Sequence, residues 1–352
     1  MNLCCFSFAA VAAAFALSGC AGGVGGNANG AVSPSVIPDS AAIRQSFAKQ
    51  SVVSDGASGA SQRYVYVADY DANAVDIFDA GQLHGSPVGQ ITYLVHEPTG
   101  IFVDANKTLY VENNDPNTLT EYRNGVLIAK IALGNLDRPG AGYWEPRWIT
   151  VDSNGTVYIS AWPSHGDASG AVIEYDKGSG TISRTLALPP PTKGAGPGGP
   201  SDPSGLAVDA NDNLYLLWGS GCGACGYGVS RFAPGATSYT QGTNVDASYG
   251  YAAGLTYDAA LGEVLFGSPG SGFVQTVLLS SGTTGRFADR ASGGFGGYLA
   301  ADPRNGYLYV GANPLGEYSY QREILVYDIA SQNLIGTLSG FSSVTTGIAV
   351  EP

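Results

Sequence analysis

The chain has 352 residues, 13% of them charged and 44% hydrophobic, with 51 glycines and a net charge of −13. That acidic balance excludes a nucleic-acid partner, because phosphate binding needs a basic surface. It leaves a solvated acidic surface, or an affinity for divalent cations or basic partners. Low charge with abundant Gly and Tyr suits an all-β extracytoplasmic protein rich in turns.

The first segment, "MNLCCFSFAAVAAAFALSGC", is an apolar run ending in small residues, the pattern of an export signal. Leu17-Ser18-Gly19-Cys20 resembles the bacterial lipoprotein lipobox, although no Lys or Arg precedes the apolar run. The resemblance implies that residues 1–19 are removed as a signal peptide and that Cys20 carries lipid. Ala21, rather than Asp, follows the cysteine, which implies sorting to the outer membrane. The lipid would be the only membrane attachment. Residues 20–61 are rich in Gly, Ala and Ser with scattered Pro and read as a flexible tether.

From residue 62 to 352 the chain repeats itself. "PTGIFVDANKTLYV", "PRWITVDSNGTVYI" and "PSGLAVDANDNLYL" begin at Pro98, Pro146 and Pro203. Inner-strand candidates end at Asp104, Asp152, Asp209, Asp258 and Asp302, and a sixth ends at Glu351. Successive spacings of 48, 57, 49, 44 and 49 residues match a four-stranded propeller blade. The sixth copy stops after one strand, whereas "RYVYVADYDANAVDIF" from Arg63 has a second and third strand without a first. The expectation is a six-bladed β-propeller of four-stranded antiparallel blades, closed by the C-terminal strand pairing with the N-terminal blade segment. Closure removes the exposed edges. Gly100, Gly205, Gly254 and Gly347 recur near the start of the inner strand, where small residues suit close approach around the axis.

"PSGLAVDANDNLYL" and "YVYVADYDANAVDIF" resemble the NHL-repeat propellers, which pair a Pro-x-Gly-aliphatic-x-Val-Asp strand with a Leu-Tyr-Val-Ala-Asp strand. Ala74 stands where that family has His. The family includes scaffolds, nucleic-acid binders and enzymes, so the resemblance implies a fold and no particular activity.

The turns between first and second strands, and between third and fourth, are short and share one end of the ring. Long connections at 134–145, 162–170, 189–202, 219–228 and 312–322 crowd the other. This face collects Tyr143, Trp144, Trp162, His165, Trp218, Tyr227, Tyr318 and Tyr320, which suit stacking on sugars or anchoring a protein. Roofing of the blade ends is the competing role for each ring. The expected function is non-catalytic binding of an envelope protein or a glycan, by a monomer.

Glu97, Glu145 and Asp202 each precede the Pro that opens an inner strand, around the central opening. Converging, they would hold a divalent cation, the only cofactor suggested; apart, they are three solvated acids. The cation would make this a metal-dependent hydrolase. Gluconolactonase-like six-bladed propellers resemble the chain in blade count and in "WEPRW", but their Pro-Asn-Gly reads Pro98-Thr99-Gly100 and Pro203-Ser204-Gly205 here. His96 and His165 match no catalytic motif. Cys222 and Cys225, in a Gly-rich loop, suit a local disulfide in an oxidising compartment.

Overall fold

The computed structural model describes residues 62–133, 144–163, 170–176, 181–188, 201–220, 227–245, 253–268, 273–289, 295–312, 323–341 and 345–352. Cys20, Tyr143, His165, Cys222, Cys225, Tyr318 and Tyr320 lie outside them, as do residues 1–61.

The described residues form strands and no helix, and the strands make six sheets. Blade I contains β1 (Tyr64–Asp69), β2 (Ala74–Asp79) and β4 (Gly89–Ile91). Its innermost strand is β25 (Thr345–Val350), so the order is β25-β1-β2-β4. Blade II runs from β5 (Pro98–Val103) through β6 (Thr108–Asn113) and β7 (Thr118–Arg123) to β8 (Val126–Ala132). Blade III comprises β9 (Trp144–Val151), β10 (Val157–Pro163), β11 (Ala171–Asp176) and β12 (Thr181–Leu186). Blade IV is built from β13 (Ser201–Val208), β14 (Leu214–Ser220), β15 (Tyr227–Phe232) and β16 (Gln241–Val245). β17 (Ala253–Asp258), β18 (Glu263–Ser268), β19 (Phe273–Leu278) and β20 (Thr283–Asp289) make blade V. Blade VI holds β21 (Phe295–Asp302), β22 (Tyr307–Ala312), β23 (Glu323–Asp328) and β24 (Leu334–Leu338).

The expected closure is present: β25 pairs antiparallel with β1, from Val65 opposite Val350 to Asp69 opposite Thr345. One addition was not legible. β3 (His84–Gly85), between β2 and β4, runs parallel to β24 and adds a fifth strand to blade VI. Gly336 permits it, since a Cβ there would stand 2.2 Å from the Leu83 carbonyl oxygen.

The repeated acid has a turn-forming duty. Asp104 accepts the backbone N–H of Asn106 and of Thr108, both at 2.8 Å, and the Tyr110 hydroxyl at 3.0 Å. Asp152 and Asp209 do the same for their turns, with Tyr158 and Tyr215. This Asx geometry satisfies backbone donors that a tight turn leaves over. It also explains why the Tyr of the second strand repeats together with the acid of the first.

Apolar side chains pack between blades. Six clusters of buried residues fill the six interfaces, for example Tyr66, Val75, Ile101 and Val111 between blades I and II. Around the axis the inner strands touch backbone to backbone. A Cβ on Gly254 (φ +67°) would lie 1.7 Å from the Gly297 carbonyl oxygen, and one on Gly205 2.6 Å from the Gly254 carbonyl carbon.

Candidate functional site

The six copies of the inner strand share a slot four residues before the terminal acid. It holds Gly100, Gly205, Gly254 and Gly347, but Trp148 in blade III and Tyr298 in blade VI. Blades III and VI are opposite in the ring. The two rings meet across the axis in a stacked arrangement, with centroids 6.3 Å apart and planes 26° apart. They plug the channel at the level where the other four blades present only glycine.

Below the plug lies a cavity of about 540 Å³, the size of a small-molecule pocket. It runs from Trp148 and Tyr298 along the inner strands to the short turns at Asn106, Ser153 and Asp212 and to Pro352. Glu145 and Arg147 precede Trp148 on β9, at the end away from these turns, and Trp162 pairs there with Glu145. Trp162 packs against Trp148 with ring centroids 5.8 Å apart, and donates its indole N–H to the Pro203 carbonyl at 2.6 Å. The Arg147 guanidinium sits over the Trp162 ring, 5.5 Å from its centroid, and pairs with Glu145 at 2.6 Å.

The expected carboxylates are not gathered. Glu97 accepts hydrogen bonds from the Tyr70 hydroxyl at 2.8 Å and from Asn114 at 3.2 Å, and is held at φ +44°. Glu145 is engaged by Arg147. Asp202 takes a backbone hydrogen bond from Gly170, while burial pushes its carboxyl up to about 6. Each acid has its own partners. Among the described residues no group of three His, Cys, Asp or Glu side chains is placed to hold a metal ion. Glu97, Glu145 and Asp202 therefore do not fit a shared divalent cation.

The aromatic residues divide. Trp162 packs on the Trp148 ring, and Trp144 opens β9 at the same end. Trp218 and Tyr227, expected on the binding face, are each only 3% exposed. Their burial has a cross-strand cause: Trp218 lies over Gly228 and Tyr227 over Gly219 in paired strands, and Trp218 donates to Ser230 Oγ at 2.9 Å. Neither offers a face for stacking.

Glu112, Arg147, Trp148 and Tyr298 were not singled out from the sequence. Glu112 is fully buried, and neither carboxyl oxygen has a hydrogen-bond partner among the described residues. It reaches the axis because Gly100 lacks a side chain; a Cβ there would stand 2.1 Å from Glu112 Oε2. Burial pushes the Glu112 carboxyl well above the usual range, against the pull of Arg147. Burial also raises the Tyr298 hydroxyl, with Arg147 opposing.

No protein-family model matches the chain, and no curated protein sequence does. Solved structures are similar in fold. A chain of the nidogen–laminin complex is 15% identical, with 82% of this chain and 98% of that one covered and a TM-score of 0.58. A Bacteroides caccae protein of unknown function is 12% identical, covering 83% and 99%, with a TM-score of 0.56. Kuenenia stuttgartiensis hydrazine synthase is 15% identical, covering 75% and 73%, with a TM-score of 0.52. At these identities the likeness is one of fold, and the class it defines is the six-bladed β-propeller.

Proposed function

We propose that this protein is an envelope-tethered binding module of NHL-like repeats that recognises a glycan at the long-connection end of the ring. The observation that carries this reading is the set of aromatic rings at and beside the plug. Trp148 and Tyr298 stack across the axis, and Trp162 packs beside them with the Arg147 guanidinium, paired to Glu145, over its ring. Flat apolar rings beside a charged pair suit a sugar, whose C–H face stacks while its hydroxyls hydrogen-bond. A protein partner on the same face is the alternative outcome. Screening the intact chain and its Trp162→Ala variant against immobilised glycans and envelope proteins tests the reading. Glycan binding lost on substitution supports it; binding to proteins alone refutes it. The tether belongs to the same proposal, with Cys20 lipidated and the protein anchored in the outer membrane. Mass spectrometry of the mature N-terminus would find a diacylglyceryl cysteine, and an unmodified N-terminus would refute that part.

A further inference from the structure

The cavity below the plug has three layers, and each restricts what it can hold. Trp148 and Tyr298 form its inner end, and aromatic rings take another flat ring by its face. The wall beyond them is main chain. β5, β9, β13 and β25 each end their sheet, so one edge of each strand faces the axis. Asp104, Asp152, Asp209 and Glu351 turn their N–H groups the other way, to the carbonyls of Thr108, Thr156, Asn213 and Tyr64. An antiparallel strand alternates its hydrogen-bonding direction residue by residue. The residues one and three places earlier therefore turn N–H and C=O inward, and no register shift interrupts those stretches. The set nearer the plug is Ile101, Ile149, Leu206 and Ile348, and all four line the cavity. They follow the slot that holds Trp148 by one residue, a rise of about 3.3 Å along a strand, so a flat ring laid against the plug brings its rim to their level.

Wall side chains add little polarity. Thr256 Oγ1 accepts the Ala301 N–H at 3.1 Å, the Thr346 hydroxyl donates to the Pro98 carbonyl, and Thr150 Oγ1 is fully buried. The third layer is charge. Asp104, Asp152, Asp209 and Asp212 lie towards the mouth, and no Lys, Arg or His lines the cavity. None of these four acids is in an ion pair among the described residues.

The geometry points to a second binding site here, for an uncharged planar heterocycle of the purine-base kind, stacked on Trp148 and Tyr298 with its rim hydrogen-bonded to the main chain of the inner strands. It lies on the opposite side of the plug from Trp162 and is independent of the glycan reading. Main-chain N–H and C=O groups offer donors and acceptors together, which a rim of ring N–H, C=O and ring nitrogen matches and a hydrocarbon does not. A phosphate on the same base is disfavoured, because it meets carboxylates at the mouth and no cation. The volume of about 540 Å³ holds such a base with bridging water.

The test uses the intact chain with hypoxanthine, with caffeine, a purine whose ring N–H groups are all methylated, and with inosine monophosphate. Amide and indole resonances are followed by NMR, and affinity by calorimetry. Hypoxanthine is expected to shift the amides of Ile101, Ile149, Leu206 and Ile348 and the Trp148 indole saturably, with caffeine at least about tenfold weaker and the monophosphate unbound. Tyr298→Leu, which removes the ring and keeps apolar bulk, should weaken hypoxanthine at least about tenfold. Tyr298→Phe should fold and bind as wild type. Amides that stay fixed with hypoxanthine in the wild-type chain would overturn the site and leave water in the cavity. Caffeine bound as tightly as hypoxanthine would overturn the main-chain rim, and preference for the monophosphate would overturn the uncharged ligand. Loss of glycan binding in Trp162→Ala reports the other end of the ring, so the two readings fail separately.

Discussion

Replacing Arg63 with alanine is expected to loosen the ring at its closure. Arg63 precedes β1, and its guanidinium clamps Asp302 through two parallel hydrogen bonds of 2.9 and 3.0 Å. The same group donates to the Glu351 carbonyl at 2.9 Å, so one side chain ties together the N-terminal segment, the end of β21 and the residue after β25. The Arg63 and Asp302 side chains are 9% and 0% exposed. Breaking a buried pair by removing one partner costs about 3–5 kcal/mol, because the other charge is left uncompensated. Asp302 keeps the backbone N–H groups of Arg304 and Asn305, which places the cost near the lower end. With roughly 2–4 °C per kcal/mol for a domain of 150–250 residues, Arg63→Ala should lower Tm by about 6–12 °C. Lysine cannot reproduce the two-pronged contact, so Arg63→Lys should recover only part of the loss. Thermal melts followed by circular dichroism measure this. A Tm for Arg63→Ala within about 2 °C of wild type, less than about 1 kcal/mol, would refute the clamp as a stabilising element.

Gly254→Ala should destabilise by about 2–4 kcal/mol, from a left-handed φ and a Cβ driven into the Gly297 carbonyl, as overpacking against backbone does; a denaturant midpoint equal to wild type would contradict the axial packing. Asp76, 3% exposed and bonded to Gln90 at 3.0 Å, has its carboxyl pushed by burial up to about 6 from 3.8. The folded state holds that proton more tightly than the unfolded chain. Its favourable contribution is therefore full below pH 3.8 and is lost as pH rises to about 6. Asp76→Asn should accordingly raise stability at pH 7 by up to about 3 kcal/mol and leave it unchanged at pH 3, read by urea unfolding at both pH values. Deleting residues 345–352 removes β25 and exposes the inner edge of β1. Size-exclusion chromatography should then show aggregation through that edge, and a monomer melting like wild type would be the contrary result.

The ring was legible because its signals repeat. The acid that caps each first turn, the Tyr bonded to it and the glycines at the axis serve the same backbone requirement in successive blades. The plug was legible only as an exception. Four copies of one slot carry Gly, and the two that carry Trp148 and Tyr298 face each other once the ring closes. Glu112 had the same kind of signal, a charge in a slot otherwise small or apolar. Position along a strand did not settle burial for Trp218 and Tyr227, because the paired strand supplies the glycine over which each ring lies. Nor did acid-before-Pro spacing settle convergence. Glu97, Glu145 and Asp202 share a register, yet Tyr70, Arg147 and the Gly170 backbone engage them separately.

The central claim is that the ring end beside the Trp148–Tyr298 plug, at Trp162, binds a sugar, and the indole N–H resonances of the intact chain test it most directly. Titration with soluble glycans should move the Trp148 and Trp162 signals saturably and leave Trp218, sealed against Ser230, in place. Indole signals that stay fixed with every sugar, or a shift confined to Trp218, would contradict it.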